Sequence, residues 1–140
     1  MFITIASLVF VLLMVATVYD LRIREIPDWI SMAIAILAVA TASTGWLGID
    51  LVLVAIGGIV GLTMGYLLFR FAKLGGGDAK LIAALGMLVG PVGLFIVLFG
   101  TALAGGVLSL VAMLRGQRDY AYVPAITAGF LGYIGLVSRL

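Results

Sequence analysis

Long apolar runs, broken at short intervals by a few charges or glycines, govern what this chain can become. The runs are Phe2–Tyr19, Trp29–Thr44, Leu51–Phe71, Ala79–Val89, Val92–Leu114 and Tyr120–Val137. Hydrocarbon offers no partner for backbone N–H and C=O groups, so segments of this kind resolve into helices that satisfy their own backbone. Composition agrees: 65% of the 140 residues are hydrophobic and 10% charged, where soluble domains carry about 45–50% and about 25%. The pattern predicts an all-α polytopic membrane protein with six transmembrane helices in a single domain over residues 1–140. The first run lacks a basic leader and passes directly into Asp20 and Arg22, so it is read as a retained span. A net charge of +2 gives no reason to expect nucleic acid. Membrane lipid is the expected surrounding.

A span needs about 20 residues. Ala79–Val89 is shorter, covering about 17 Å at ~1.5 Å per residue before Gly90-Pro91-Val92-Gly93 turns the chain. Against a ~30 Å core, this leaves Asp78 submerged by roughly 10 Å if the turn lies at the far surface. Arg22 and Arg24 fall in the first break, Arg70, Lys73 and Lys80 around the third, and Arg115 and Arg118 in the fifth. The second and fourth breaks hold no Lys or Arg, and Arg139 is alone at the C-terminus. Positive-inside bias then places breaks one, three and five in the cytoplasm and both termini outside. Asp20 and Asp78 thereby share the cytoplasmic side.

The chain has no His and no Cys. Thiolate sites are excluded, and acid–base chemistry near neutral pH is left to carboxylates, Lys and Tyr. No metal or cofactor is expected. Of the six carboxylates, Asp50 and Asp119 read as solvated loop charges, and Asp28 as the N-cap of the second span beside the interfacial Trp29. Asp20 and Asp78 end apolar stretches, where a carboxylate is costly and marks a site. Asp20 also fits a carboxylate paired to Arg22 or Arg24, and Asp78 the cap of the fourth helix. Gly75, Gly76 and Gly77 before Asp78 permit positive φ or close approach. Two carboxylates in one water-accessible pocket share a proton and titrate as a unit. The ionised member takes a proton from water while the protonated one polarises a carbonyl, the logic of aspartic proteolysis. Lys80 and Lys73 fit either neutralisation of that pair or the positive-inside bias.

Gly57, Gly61 and Gly65, four residues apart, lay a smooth groove on the third span. Packing within the chain is the simpler use of it, and homodimerisation the alternative. Tyr120 and Tyr122 read as interfacial anchors, with Pro124 in the first turn of the last helix.

Two stretches carry a resemblance. Tyr19-Asp20-Leu21-Arg22-Ile23-Arg24-Glu25-Ile26-Pro27-Asp28 and Gly75-Gly76-Gly77-Asp78-Ala79-Lys80-Leu81 resemble the type IV prepilin peptidase family. The short form, as in tight-adherence pilus systems and archaeal preflagellin peptidases, is closest. Val123-Pro124-Ala125-Ile126-Thr127-Ala128-Gly129 is similar to that family's last span. The resemblance implies an aspartic endopeptidase of the inner membrane. Such an enzyme removes the short basic leader of prepilin-like proteins on the cytoplasmic side, just after a glycine. It places the catalytic aspartates on Asp20 and Asp78, with Gly75, Gly76, Gly77, Lys80 and Pro27 shaping the site and Glu25 or Asp28 attracting the leader's cations. Long members add a cytoplasmic segment, often with cysteine pairs, and methylate the new amino terminus. With no Cys and no such segment in this chain, peptidase activity alone is expected. Two other readings use the same carboxylates. A presenilin-like protease also pairs Tyr-Asp with Gly-x-Gly-Asp, but the small size and the Ile-Pro after Asp20 argue against it. A proton-coupled transporter or assembly subunit would often show an internal repeat, and none is evident between the two halves.

Overall fold

The computed structural model describes residues 1–117 and 121–140, and within them every regular element is an α-helix. The elements are α1 (Phe2–Ile23), α2 (Asp28–Thr44), α3 (Leu51–Ala72), α4 (Gly76–Leu114) and α5 (Val123–Val137). Arg118, Asp119 and Tyr120, with the loop-charge and anchor roles expected of the last two, lie outside the described residues. α1, α3 and α4 are long and apolar enough to cross a membrane, while α2 and α5 are shorter apolar helices. Their outward faces are apolar too: Ile3, Met32, Ile59, Phe71 and Phe99 are all exposed. This is the surface of a membrane protein.

Six apolar runs become five helices because α4 joins the fourth and fifth. A straight helix of its 39 residues would measure about 58 Å. Yet Asp20 lines one cavity with Asp78, at the start of α4, and another with Ala112, near its end. α4 therefore doubles back. The reversal is at Gly90, whose φ of 73° and ψ of 175° lie outside the helical region. That left-handed φ suits glycine, and Pro91 tolerates the first position of the resumed helix, where its missing N–H costs nothing. The loop after α1, the loop before α4 and the end of α4 thus gather at one end of the bundle. Trp46, Leu47 and Ile49 meet Phe2, Val89 and Val137 at the other.

The first half of α4 is the central rod. Leu81, Ile82, Leu85 and Leu88 are buried against Val9 and Leu13 of α1, Ile30 and Ile34 of α2, and Val123, Ile126 and Phe130 of α5. α3 approaches it through the glycine ladder. A Cβ at Gly57 would collide with the carbonyl of Gly86, one at Gly61 would lie 2.8 Å from the Cα of Ala83, and one at Gly65 2.8 Å from the carbonyl oxygen of Ala79. The four-residue spacing is thus used for packing within one chain, and the glycine face is occupied by α4 rather than open to a second copy. Gly57→Ala is expected to destabilise the fold by about 1–3 kcal/mol, because backbone rather than a movable side chain must yield. Gly132→Ala, with nothing within 4 Å of the added carbon, should be neutral or slightly stabilising. Thermal unfolding of the two variants in detergent checks the contrast.

Candidate active site

Helical arithmetic delivers Asp20. The buried stripe of α1 runs Ala6, Val9, Leu13, Ala16, Asp20, alternating steps of three and four. The carboxylate is the next tooth of an apolar stripe and is only 7% exposed. Its Oδ2 accepts a hydrogen bond from the backbone N–H of Val123 at 3.2 Å. Val123 is the first residue of α5, whose leading N–H groups have no partner within the helix and favour an anion. One turn further into the bundle, the hydroxyls of Thr17 and Thr127 lie 3.2 Å apart and hold α1 to α5. Asp20 is therefore fastened to α5. α1 ends just beyond it, at Arg24, whose φ of 53° is left-handed. That conformation costs a non-glycine residue about 1–2 kcal/mol.

Asp78 is held by its own helix. It occupies the third position of α4, not the cap expected from the sequence, and its Oδ2 accepts from the N–H of Gly75 at 3.2 Å. This is half of a capping box, since glycine has no side chain to reciprocate. Asp78 is 5% exposed, and its Oδ1 is buried with no hydrogen-bond partner. The preceding glycines do not adopt the positive φ the sequence allowed them. Gly75 and Gly77 serve close approach instead. A Cβ at Gly77 would sit 3.0 Å from the Cβ of Ile26, and one at Gly75 3.2 Å from Oδ2 of Asp78, while Gly76 faces open space.

Asp20 and Asp78 line one open cavity of about 230 Å3, close enough for the charge of one to act on the other. Arg24, Glu25, Ile26, Asp28, Gly75, Gly76 and Gly77 complete its wall. Asp20 and Arg24 also line a second cavity of about 260 Å3, shared with Arg115, Gln117 and Pro124. The aspartate thus lines two spaces at the same end of the bundle, each roomy enough for several waters.

Three expectations change. Asp28 is the first residue of α2, with Pro27 before it as the cap position, and its side chain caps nothing. Its two carboxylate oxygens instead receive Lys80 Nζ at 2.8 and 2.9 Å. Lys80 is itself not on the cavity wall, although Asp28 is. It ties the start of α4 to the start of α2, an exposed bridge worth about 0–1 kcal/mol. Pro27 is not among the wall residues either, and its carbonyl accepts from Ile30 N–H. Ile26, which packs on Gly77, and the N–H of Val123 were not singled out from the sequence. A backbone donor leaves no trace in residue identity. Ile26 carried a faint signal as the one apolar residue amid the charges of its loop.

The arrangement can bind a water between two carboxyl groups, each anchored by one oxygen to a backbone N–H. Residues 7–110, roughly three quarters of the chain and containing both aspartates, match the model of the type IV leader peptidase family. The chain belongs to that family. No curated protein and no solved structure matches it. A type IV leader peptidase is a protease, so the cavity at the charged end of this bundle is where its peptidase chemistry is to be sought. The match stops before α5, so Val123, whose N–H donates to Asp20, lies outside the region this leader peptidase shares with the family model.

Proposed function

We propose that the protein is an aspartic endopeptidase with Asp20 and Asp78 as its dyad. It removes the basic leader of prepilin-like substrates just after a glycine, at the cytoplasmic face of the inner membrane. The observation that carries this reading is the convergence of two buried carboxylates, 58 positions apart in sequence, on one open cavity. With one proton between them, the ionised member removes a proton from a water held in the cavity. The protonated member donates to the scissile carbonyl oxygen as the water attacks its carbon. Collapse of the tetrahedral intermediate breaks the C–N bond, and a proton passes to the departing amine. The N–H groups of Gly75 and Val123 fix one oxygen of each carboxylate.

The topology supports the placement. The loops rich in Lys and Arg gather at the end that holds the dyad, and positive-inside bias makes that end cytoplasmic. In this reading the doubled α4 supplies two spans, for six in all. Its first half, Gly76–Val89, covers about 21 Å at ~1.5 Å per residue, short of a ~30 Å core. That shortness sets the dyad slightly below the surface, where a scissile bond beside an apolar helix would lie.

Incubation of the purified protein with a prepilin encoded nearby, followed by sequencing of the product's new N-terminus, tests the proposal. Release of the leader just after a glycine supports it. Cleavage within the apolar helix, or none, refutes it. Outside the dyad, Glu25 is the cavity carboxylate with no ion-pair partner among the described residues, and it is the candidate to meet the leader's cations now that Lys80 holds Asp28. Glu25→Gln is expected to raise KM about fivefold with kcat nearly unchanged, and to flatten the dependence of KM on salt. Steady-state kinetics at two ionic strengths checks this.

A further inference from the structure

A cavity roomier than the one holding both aspartates lies elsewhere among the described residues. About 420 Å3 of space lies between the C-terminal half of α3 and the second half of α4, lined almost wholly by apolar atoms. Leu68 forms one wall, and Ala102, Gly105 and Gly106 the other. We propose that this groove seats the apolar helix of the substrate, an assignment that rests on the leader-peptidase reading above.

The opposite face of the second half of α4 shows how its small residues behave when a partner is present. A Cβ at Gly93 would lie 3.1 Å from the ring of Tyr133, and one at Gly100 3.0 Å from the Cα of Gly129. Gly106 has nothing within 4 Å. Ala102 and Gly106 are four residues apart, the spacing that lets a helix backbone approach closely in lipid. A loose acyl chain gains little from such a strip, whereas a helix gains van der Waals contact along its length.

The groove also leads to the dyad. Leu74 and Tyr122 line it. Leu74 immediately precedes Gly75, whose N–H holds Asp78, and Tyr122 immediately precedes Val123, whose N–H holds Asp20. A helix lying in the groove would therefore end between the two residues that adjoin the aspartate anchors, and its flanking chain would pass to the carboxylates. A second copy seated there would obstruct that approach.

The chain has no native Cys, so Ala102→Cys provides a single attachment point for a photoactivatable cross-linker. The probe is a prepilin-type substrate with a leader, a glycine and an apolar helix of about 20 residues. An adduct with that helix is expected. An adduct with a second copy of the chain, or none with the substrate, would overturn the assignment. Gly106→Leu fills the groove without touching the dyad. It should lower kcat/KM on the helix-bearing substrate about tenfold or more, yet leave a short soluble peptide spanning the same bond within about twofold of wild type. Gly132→Leu, equally open but on α5, should behave as wild type on both. Equal cleavage of both substrates by Gly106→Leu and wild type, or equal losses on the two, would also overturn the groove. Failure of the wild type to cut either substrate would overturn the underlying peptidase reading, and the groove with it.

Discussion

Asp20→Asn and Asp78→Asn should each reduce leader removal by at least about 10³-fold, the scale of losing a member of a catalytic unit, while the protein still inserts and folds. An amide cannot exchange the proton on which the reaction depends, although it nearly preserves shape. The two variants should part company in stability. Asp78 carries a buried oxygen with no partner and shares its cavity with a second carboxylate. A buried, incompletely bonded charge is costly, so Asp78→Asn is expected to raise the unfolding free energy by about 1–2 kcal/mol even as it abolishes cleavage. Asp20 has a backbone donor on another helix, and Asp20→Asn weakens a charge-assisted bond, so its stability should stay level or fall slightly. The measurements are product N-terminal sequencing and thermal unfolding in one detergent. Full cleavage by either purified variant would remove that residue from the dyad. A large loss of stability in Asp78→Asn would make it a structural carboxylate instead.

Most of the fold was legible because lipid enforces it. Run boundaries and helix boundaries agree closely for Leu51–Phe71 against Leu51–Ala72 and for Trp29–Thr44 against Asp28–Thr44. The disagreements follow from what hydropathy measures. The first apolar run stops at Tyr19, but α1 continues to Ile23, since a helix may outlast the greasy stretch that begins it. Gly90 and Pro91 were readable as a turn, and the turn is so tight that helical geometry resumes on both sides at once. At the site, Asp20 and Asp78 were legible through charge asymmetry, which put two distant residues on one side. What holds them was not. The donors are backbone N–H groups of Gly75 and Val123, and any residue but proline supplies one. The bond from Lys80 to Asp28 was hidden for a different reason. A flexible lysine has several carboxylates within reach of its sequence neighbourhood, and the packing of α2 against α4 selects among them.

The three glycines before Asp78 look equivalent in sequence, and the structure separates them. Gly76→Ala should leave kcat/KM within about twofold of wild type, since an added Cβ meets nothing within 4 Å and alanine suits the first turn of a helix. Gly77→Leu should lower it about 100-fold. A Cβ at Gly77 already lies 3.0 Å from the Cβ of Ile26 and 3.5 Å from its backbone nitrogen, so a larger side chain must push the loop between α1 and α2 away from α4. That loop carries Arg24 and Glu25 on the cavity wall and begins four residues after Asp20. Displacing it by about 1 Å separates the elements that bring the carboxylates together, and misplacement on that scale costs about 10²-fold. The loss should fall on kcat with fold stability reduced by no more than about 1–3 kcal/mol. Kinetics of both variants on one prepilin-type substrate, with unfolding midpoints alongside, decides the matter. Equal tolerance at Gly76 and Gly77 would mean that the contact with Ile26 does not set the spacing of the dyad.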